Sequence, residues 1–197
     1  MKKINLMIAA ALSFGLLQAC NHGPKDSTQT ADSTNAAKDT SKTDSASKMT
    51  ATTPDNDDAK FAVTAANAGM TEVALSKIAL QQVTDSKLKD FANMMITDHT
   101  KAGDQLAALA KTKNITLPMA VNSDSQKIID DMTKKSGSDF DKAYVDQMVT
   151  DHEGAVKLFQ DEAKNAVDPD IKAFATNTLP TLQGHLSAIN GIKSSMK

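Results

Sequence analysis

"LKDFANMMITDHTKAGDQLAALA" at Leu88–Ala110 and "FDKAYVDQMVTDHEGAVKLFQDEA" at Phe140–Ala163 decide the fold. Residues at alternating steps of four and three form a mainly apolar stripe in each. The first gives Leu88, Ala92, Met95, His99, Ala102, Leu106 and Leu109, and the second gives Val145, Met148, His152, Ala155 and Phe159. This spacing keeps one face of an α-helix against its neighbours, and no convincing strand-like alternation competes with it. The chain has only four histidines. Two of them stand mid-stripe in the same Met-x-Thr-Asp-His context, His99 after Met95 and Asp98, His152 after Met148 and Asp151.

Working outward, a helix over about Asp57 to Val83 carries the stripe Phe61, Ala65, Ala68, Glu72, Leu75, Ala79 and Gln82. "TDSK" at Thr84–Lys87 turns the chain into the second helix, about Lys87 to Lys113. Pro118 interrupts the pattern, and a short helix follows over about Asp124 to Lys134. Gly137 reads as a stop and Ser138 as the next N-cap, so the third helix runs from about Asp139 to Asn165. Asp168 caps a fourth helix that has Pro169 at its first position, where a missing N–H costs nothing. That helix ends near Lys193, and Pro180 inside it predicts a kink or a split. Its stripe is Ile171, Ala175, Thr178, Leu182, His185, Ile189 and Ile192. Two antiparallel helical hairpins joined by a longer connection with a short helix make an all-α four-helix bundle.

Each stripe holds one ionisable residue near its middle: Glu72, His99, His152 and His185. At a rise of about 1.5 Å per residue, Glu72 and His99 sit roughly 16–18 Å from the first hairpin turn, and His152 and His185 roughly 20–24 Å from the second. One layer can therefore contain all four. Burying them without partners is costly, whereas a cation at their centre satisfies them together. Three imidazoles and a carboxylate suit Zn²⁺, Fe²⁺, Mn²⁺ or Cu²⁺. The alternative is a purely structural polar layer in which Glu72 pairs with a histidine and the others find ordinary acceptors. Asp98 and Asp151 lie about 100° round the helix from their histidines, placed to accept from a ring on a neighbouring helix. Met95 and Met148, one turn before the histidines, are core fillers or thioether ligands for copper.

The ends of the chain have a different character. Lys2 and Lys3 precede an apolar run from Ile4 to Leu17, too short to span a bilayer, and the chain's only cysteine follows at Cys20. Residues 1–19 read as a lipoprotein signal peptide, with Cys20 as the lipidated first residue of the mature chain and its anchor to the membrane. Residues 20–56, as in "DSTQTADSTNAAKDTSKTDSASK", lack aromatic residues and nearly all large aliphatic ones, and are expected to be a disordered tether. The bundle occupies residues 57–197. The expected location is the cell envelope, at the outer membrane and facing the periplasm. The net charge of −2 over the whole chain, with both signs interspersed, offers nothing to nucleic acid. Neither a nucleophile–base arrangement nor a glycine-rich phosphate loop points to catalysis.

The stretches "AANAGMTEVALSKIAL", "LKDFANMMITDHTKAGDQLAALA", "FDKAYVDQMVTDHEGAVKLFQDEA" and "LPTLQGHL" together resemble domain-of-unknown-function family 4142 over about Ala59 to Ile192. The resemblance implies an exported bacterial four-helix protein of ferritin-like type, commonly described as an outer-membrane protein. It brings no activity. A ferritin-type di-iron centre requires Glu-x-x-His on two helices. Here Ile96, Val149 and Leu182 stand three residues before the histidines, so that motif is absent. The "MVTDHEGAV" segment also resembles another exported helical family with Met-Ile-x-His-His repeats, which keeps copper among the candidate metals.

Overall fold

The computed structural model describes residues 26–40 and 55–196. Among them the elements are α1 (Ser27–Thr40), α2 (Asn56–Gln82), α3 (Ser86–Thr112), α4 (Ser123–Thr133), α5 (Gly137–Asn165) and α6 (Pro169–Ser195), with no strand. Helices α2 and α3 form one antiparallel hairpin and α5 and α6 the other; α2 also packs on α5, and α3 on α6. The order round the bundle is thus α2, α3, α6, α5. No helix among the described residues is long and apolar enough to cross a membrane. The segment read as a signal peptide, Cys20 and His22 lie outside the described residues.

The helix ends are fixed by side chains that satisfy orphan N–H groups. Asp55 accepts from Asp57 N, Asp85 from Lys87 N and Leu88 N, and Asn122 from Ser125 N. Asp168 accepts from Asp170 N and Ile171 N, with Pro169 at the start of α6. Buried Asp58 reaches across to the same turn and accepts from Val167 N at 3.1 Å and Asp168 N at 2.7 Å. Lys113 closes it with contacts to Asp168 at 2.8 Å and Asp170 at 2.6 Å.

Three expectations are corrected. Of the kink or split expected at Pro180, the split is overturned: α6 is one continuous helix, with Pro180 exposed and Ala175, Leu182 and His185 on the buried face. Helix α5 begins two residues before the expected Asp139, because extended Ser136 takes the cap position and Gly137 adopts a φ of +56° that favours glycine. The tether is also interrupted: residues 27–40 form α1, which packs on α2, and the tether's last two residues, Asp55 and Asn56, cap and begin α2; residues 20–25 and 41–54 lie outside the described residues.

Helix α1 is held by tertiary hydrogen bonds rather than by its own apolar surface. Ser27, Ala31, Asn35 and Lys38 follow one another at helical spacing on one face. The Asn35 side-chain amide donates to Thr116 O at 2.9 Å and accepts from Thr116 N at 2.8 Å. Lys38 donates to Asn114 O at 2.8 Å, and Ser27 Oγ accepts from Met119 N at 2.8 Å. Asn35 therefore clips α1 onto the chain between α3 and α4. In Asn35→Ala, the Thr116 groups lose both partners, at a cost of about 1–3 kcal/mol. Hydrogen exchange should show the Thr116 amide deprotected while α5 and α6 amides keep their protection; unchanged exchange at Thr116 would remove Asn35 from this role.

Candidate metal centre

The interior of the bundle divides into two apolar clusters. One is built around Leu75, Phe91, Met95, Tyr144, Met148 and Ile189. The other is built around Phe61, Leu106, Phe159, Ile171, Ala175 and Leu182. Along every helix the ionisable residue falls between members of the two clusters: Glu72 before Leu75, His99 between Met95 and Leu106, His152 between Met148 and Phe159, His185 between Leu182 and Ile189. All four are buried, with His152 at 0%, Glu72 and His185 at 2% and His99 at 8% exposure. The heptad-like register of each sequence stripe thus delivers its polar residue to one level.

One nitrogen from each of His99, His152 and His185 lies within 4.8 Å of the other two. The opposite nitrogen of each ring has a partner behind it. His152 Nδ1 donates to the Met148 carbonyl one turn back, at 2.8 Å. His185 Nε2 lies 2.9 Å from the Asp98 carboxylate, across on α3. His99 Nδ1 lies 3.0 Å from Glu72 Oε2, across on α2, and the other Glu72 oxygen is 3.6 Å from His152 Nδ1.

These outer partners decide the tautomers. A carbonyl only accepts, so His152 carries its proton on Nδ1 and presents a lone pair at Nε2. An ionised Asp98 likewise fixes the proton on Nε2 of His185, leaving a lone pair at Nδ1. The two lone pairs face each other at 3.3 Å. Neither neutral ring can donate to the other. His99 Nε2 is buried with no hydrogen-bond partner at all. Two inward lone pairs and the unbonded Nε2 of His99 thus belong to one buried layer, although buried polar groups ordinarily find a partner.

Electrostatics match this arrangement. Burial, and then the charges of His152 and His185, lower His99 to about 3. Burial lowers His152 to about 4, against the opposing Met148 carbonyl and with a further push from His185. Burial, with Asp151 as a smaller contribution, pushes Glu72 well above the usual carboxylate range. Without a cation, burial favours neutral His99 and His152 rings and a neutral Glu72. A positive charge at the inner nitrogens reverses the preference at Glu72 and restores it as an ionised acceptor.

The residues singled out in the sequence divide accordingly. His99, His152 and His185 come together, and Glu72 lies behind His99 on the outer side of the ring, not among the three converging nitrogens. Asp98 sits behind His185. Asp151 takes the Gln147 amide at 2.8 Å, one turn back on its own helix, and burial raises its carboxyl. The side chains of Met95 and Met148 belong to the apolar cluster; what Met148 gives the layer is its carbonyl. Tyr144, in the same stretch as His152, is fully buried, with its hydroxyl 2.9 Å from Ser76 Oγ.

Sequence reasoning missed a cavity of about 540 Å³ beside the layer. The stripe positions Ala65, Ala68, Ala102, Ala155 and Thr178 are only half-buried, and all of them line it. The signal was a run of small residues at consecutive core positions, which leaves space instead of filling it.

Residues 41–192 match the family model described as "Domain of unknown function (DUF4142)". The chain belongs to this family. Helix α1 precedes the matched region. No curated protein matches the chain. Among solved structures, the crystal structure of a DUF305 fragment from Deinococcus radiodurans is similar, with a TM-score of 0.66 at 11% identity over 74% of this chain and 100% of that one. At that identity the likeness speaks for the helical fold alone.

The buried rings yield a pH expectation. An exposed imidazole titrates near 6.5, whereas His99 and His152 should stay neutral on acidification from pH 7 to 5. Ring resonances followed by NMR in metal-free protein, assigned by single His→Gln variants, should show both rings unchanged over that range. Titration of both rings near pH 6.5 would contradict the burial described here.

Proposed function

We propose that the protein is a metal-binding member of its family, holding one divalent transition-metal ion on His99, His152 and His185. The observation that carries the reading is the convergence of three buried imidazoles, each with one nitrogen within 4.8 Å of the other two, and with His152 Nε2 and His185 Nδ1 facing each other at 3.3 Å. Two nitrogens bound at 2.0–2.1 Å to a tetrahedral ion lie about 3.3 Å apart, which is the separation of His152 Nε2 and His185 Nδ1. An all-imidazole donor set favours zinc and copper over the oxygen-seeking Mn²⁺. Glu72, Asp98 and the Met148 carbonyl act from outside the ring cluster, fixing tautomers and raising ligand basicity. Three protein ligands leave the fourth tetrahedral position open.

The amino-terminal sequence supports placing this domain in the cell envelope. Lys2 and Lys3, the apolar run to Leu17 and a single cysteine at Cys20 form a lipoprotein-like export signal, and a lipid on Cys20 would hold the bundle at a membrane surface. In the competing, purely structural reading, the protein itself offers His99 Nε2 no hydrogen-bond partner.

Titration calorimetry of purified protein with Zn²⁺ and Cu²⁺, backed by metal analysis, should give one ion per chain. His152→Ala should abolish tight binding, and Asp98→Ala should weaken it about 10–100-fold, as loss of an outer partner does. At a free-metal concentration a hundred times the Kd, the native protein should gain about 2.7 kcal/mol of stability. Absence of bound metal in native protein under every loading condition would overturn the proposal.

A further inference from the structure

The cavity of about 540 Å³ runs from the histidine layer into the half of the bundle that contains Phe61 and Phe159. Its floor includes His99, His185, Glu72 and Asp98, and its walls are mainly apolar. Ala68, Ala102 and Ala155 give it width, and Phe159, Phe174 and Leu182 form its apolar body. At about 30 Å³ per water-sized group, it has room for on the order of 15–20 non-hydrogen atoms. That size and an apolar wall meeting a few convergent polar groups are typical of small-molecule sites.

The floor is what gives the cavity a direction. His99 lines it, its side chain is 7% exposed, and its Nε2 has no hydrogen-bond partner. The position that three histidines leave vacant on a metal ion is thus approached from an apolar chamber. Water alone is a poor occupant of such walls, because it finds few partners there.

Resting on the metal reading above, we infer that the cavity binds an amphipathic monocarboxylate. Its carboxylate takes the fourth position on the metal, and its hydrocarbon body lies along Ala68 and Ala102 toward Phe159 and Phe174. The ion attracts the head group by direct coordination, against the Glu72 and Asp98 carboxylates behind the rings, while burial of the tail contributes roughly 25 cal/mol per Å² of apolar surface removed from water. An uncharged analogue of the same length retains only the second contribution.

The test uses zinc-loaded protein whose occupancy is first measured by metal analysis, with decanoate as the probe and 1-decanol as its uncharged counterpart. Calorimetry should show decanoate binding with one-to-one stoichiometry, about tenfold or more tighter to zinc-loaded than to metal-free protein, with 1-decanol insensitive to zinc. Ala102→Phe should fill the chamber, abolishing decanoate binding while leaving zinc uptake intact. If native protein takes up zinc but binds no decanoate, or binds it equally with and without zinc, this inference fails and the metal site stands. If zinc is not taken up, the metal reading fails and this one falls with it. Decanoate binding undiminished in an Ala102→Phe protein that still loads zinc would place the ligand elsewhere and also overturn it.

Discussion

Everything in this bundle is arranged around three imidazoles that cannot satisfy one another. Each ring is tied from behind, by the Met148 carbonyl, the Asp98 carboxylate or the Glu72 carboxyl, and each tie leaves the ring's other nitrogen for the layer. The outer partners come from other helices for His99 and His185 and from the preceding turn for His152. The layer therefore fixes the relative height of α2, α3, α5 and α6 as well as the direction of the rings. A slip of one helix by a turn would leave charged or polar atoms against the apolar clusters on either side, at a cost of several kcal/mol.

The layer also explains the shape of the interior. Below it, Met95, Met148, Tyr144 and Phe140 fill the space, and the edge-on ring contacts of Phe91 with Tyr144 and His152 close it. Above it, small side chains leave the cavity, lined by Phe159 and Phe174, which pack on each other and on Phe61. One face of the polar layer is sealed and the other adjoins an open chamber. That asymmetry suits a site that holds an ion firmly from one side and leaves it approachable from the other.

Much of the fold was legible because its punctuation is chemical. Asp168 followed by Pro169, Pro118 between two helical stripes and "TDSK" at Thr84–Lys87 placed helix ends within about two residues. Glycine at position 137 misled, since its left-handed φ serves the entry into α5 as readily as the exit from a preceding helix. Helix α1 escaped notice for a deeper reason: Ser27, Ala31, Asn35 and Lys38 have helical spacing, but they bond to the backbone of a distant connector, and apolar periodicity does not register polar contacts. At the site, the stripes brought three histidines and Glu72 to one level. They could not show which side of His99 the Glu72 carboxyl would take, because that depends on side-chain direction across helices rather than on spacing. The cavity was written in the alanines, which read equally well as close helix packing.

The central claim is that the three histidines are the protein's only ligands and that both carboxylates stay outside. X-ray absorption spectroscopy on zinc-loaded protein addresses it directly. The expected spectrum has three imidazole nitrogens and one further light atom at about 2.0 Å, with the multiple scattering of three rings, and is unchanged in Glu72→Gln apart from lowered occupancy. A spectrum with two or fewer imidazoles, or one in which Glu72→Gln removes an oxygen ligand, would contradict it.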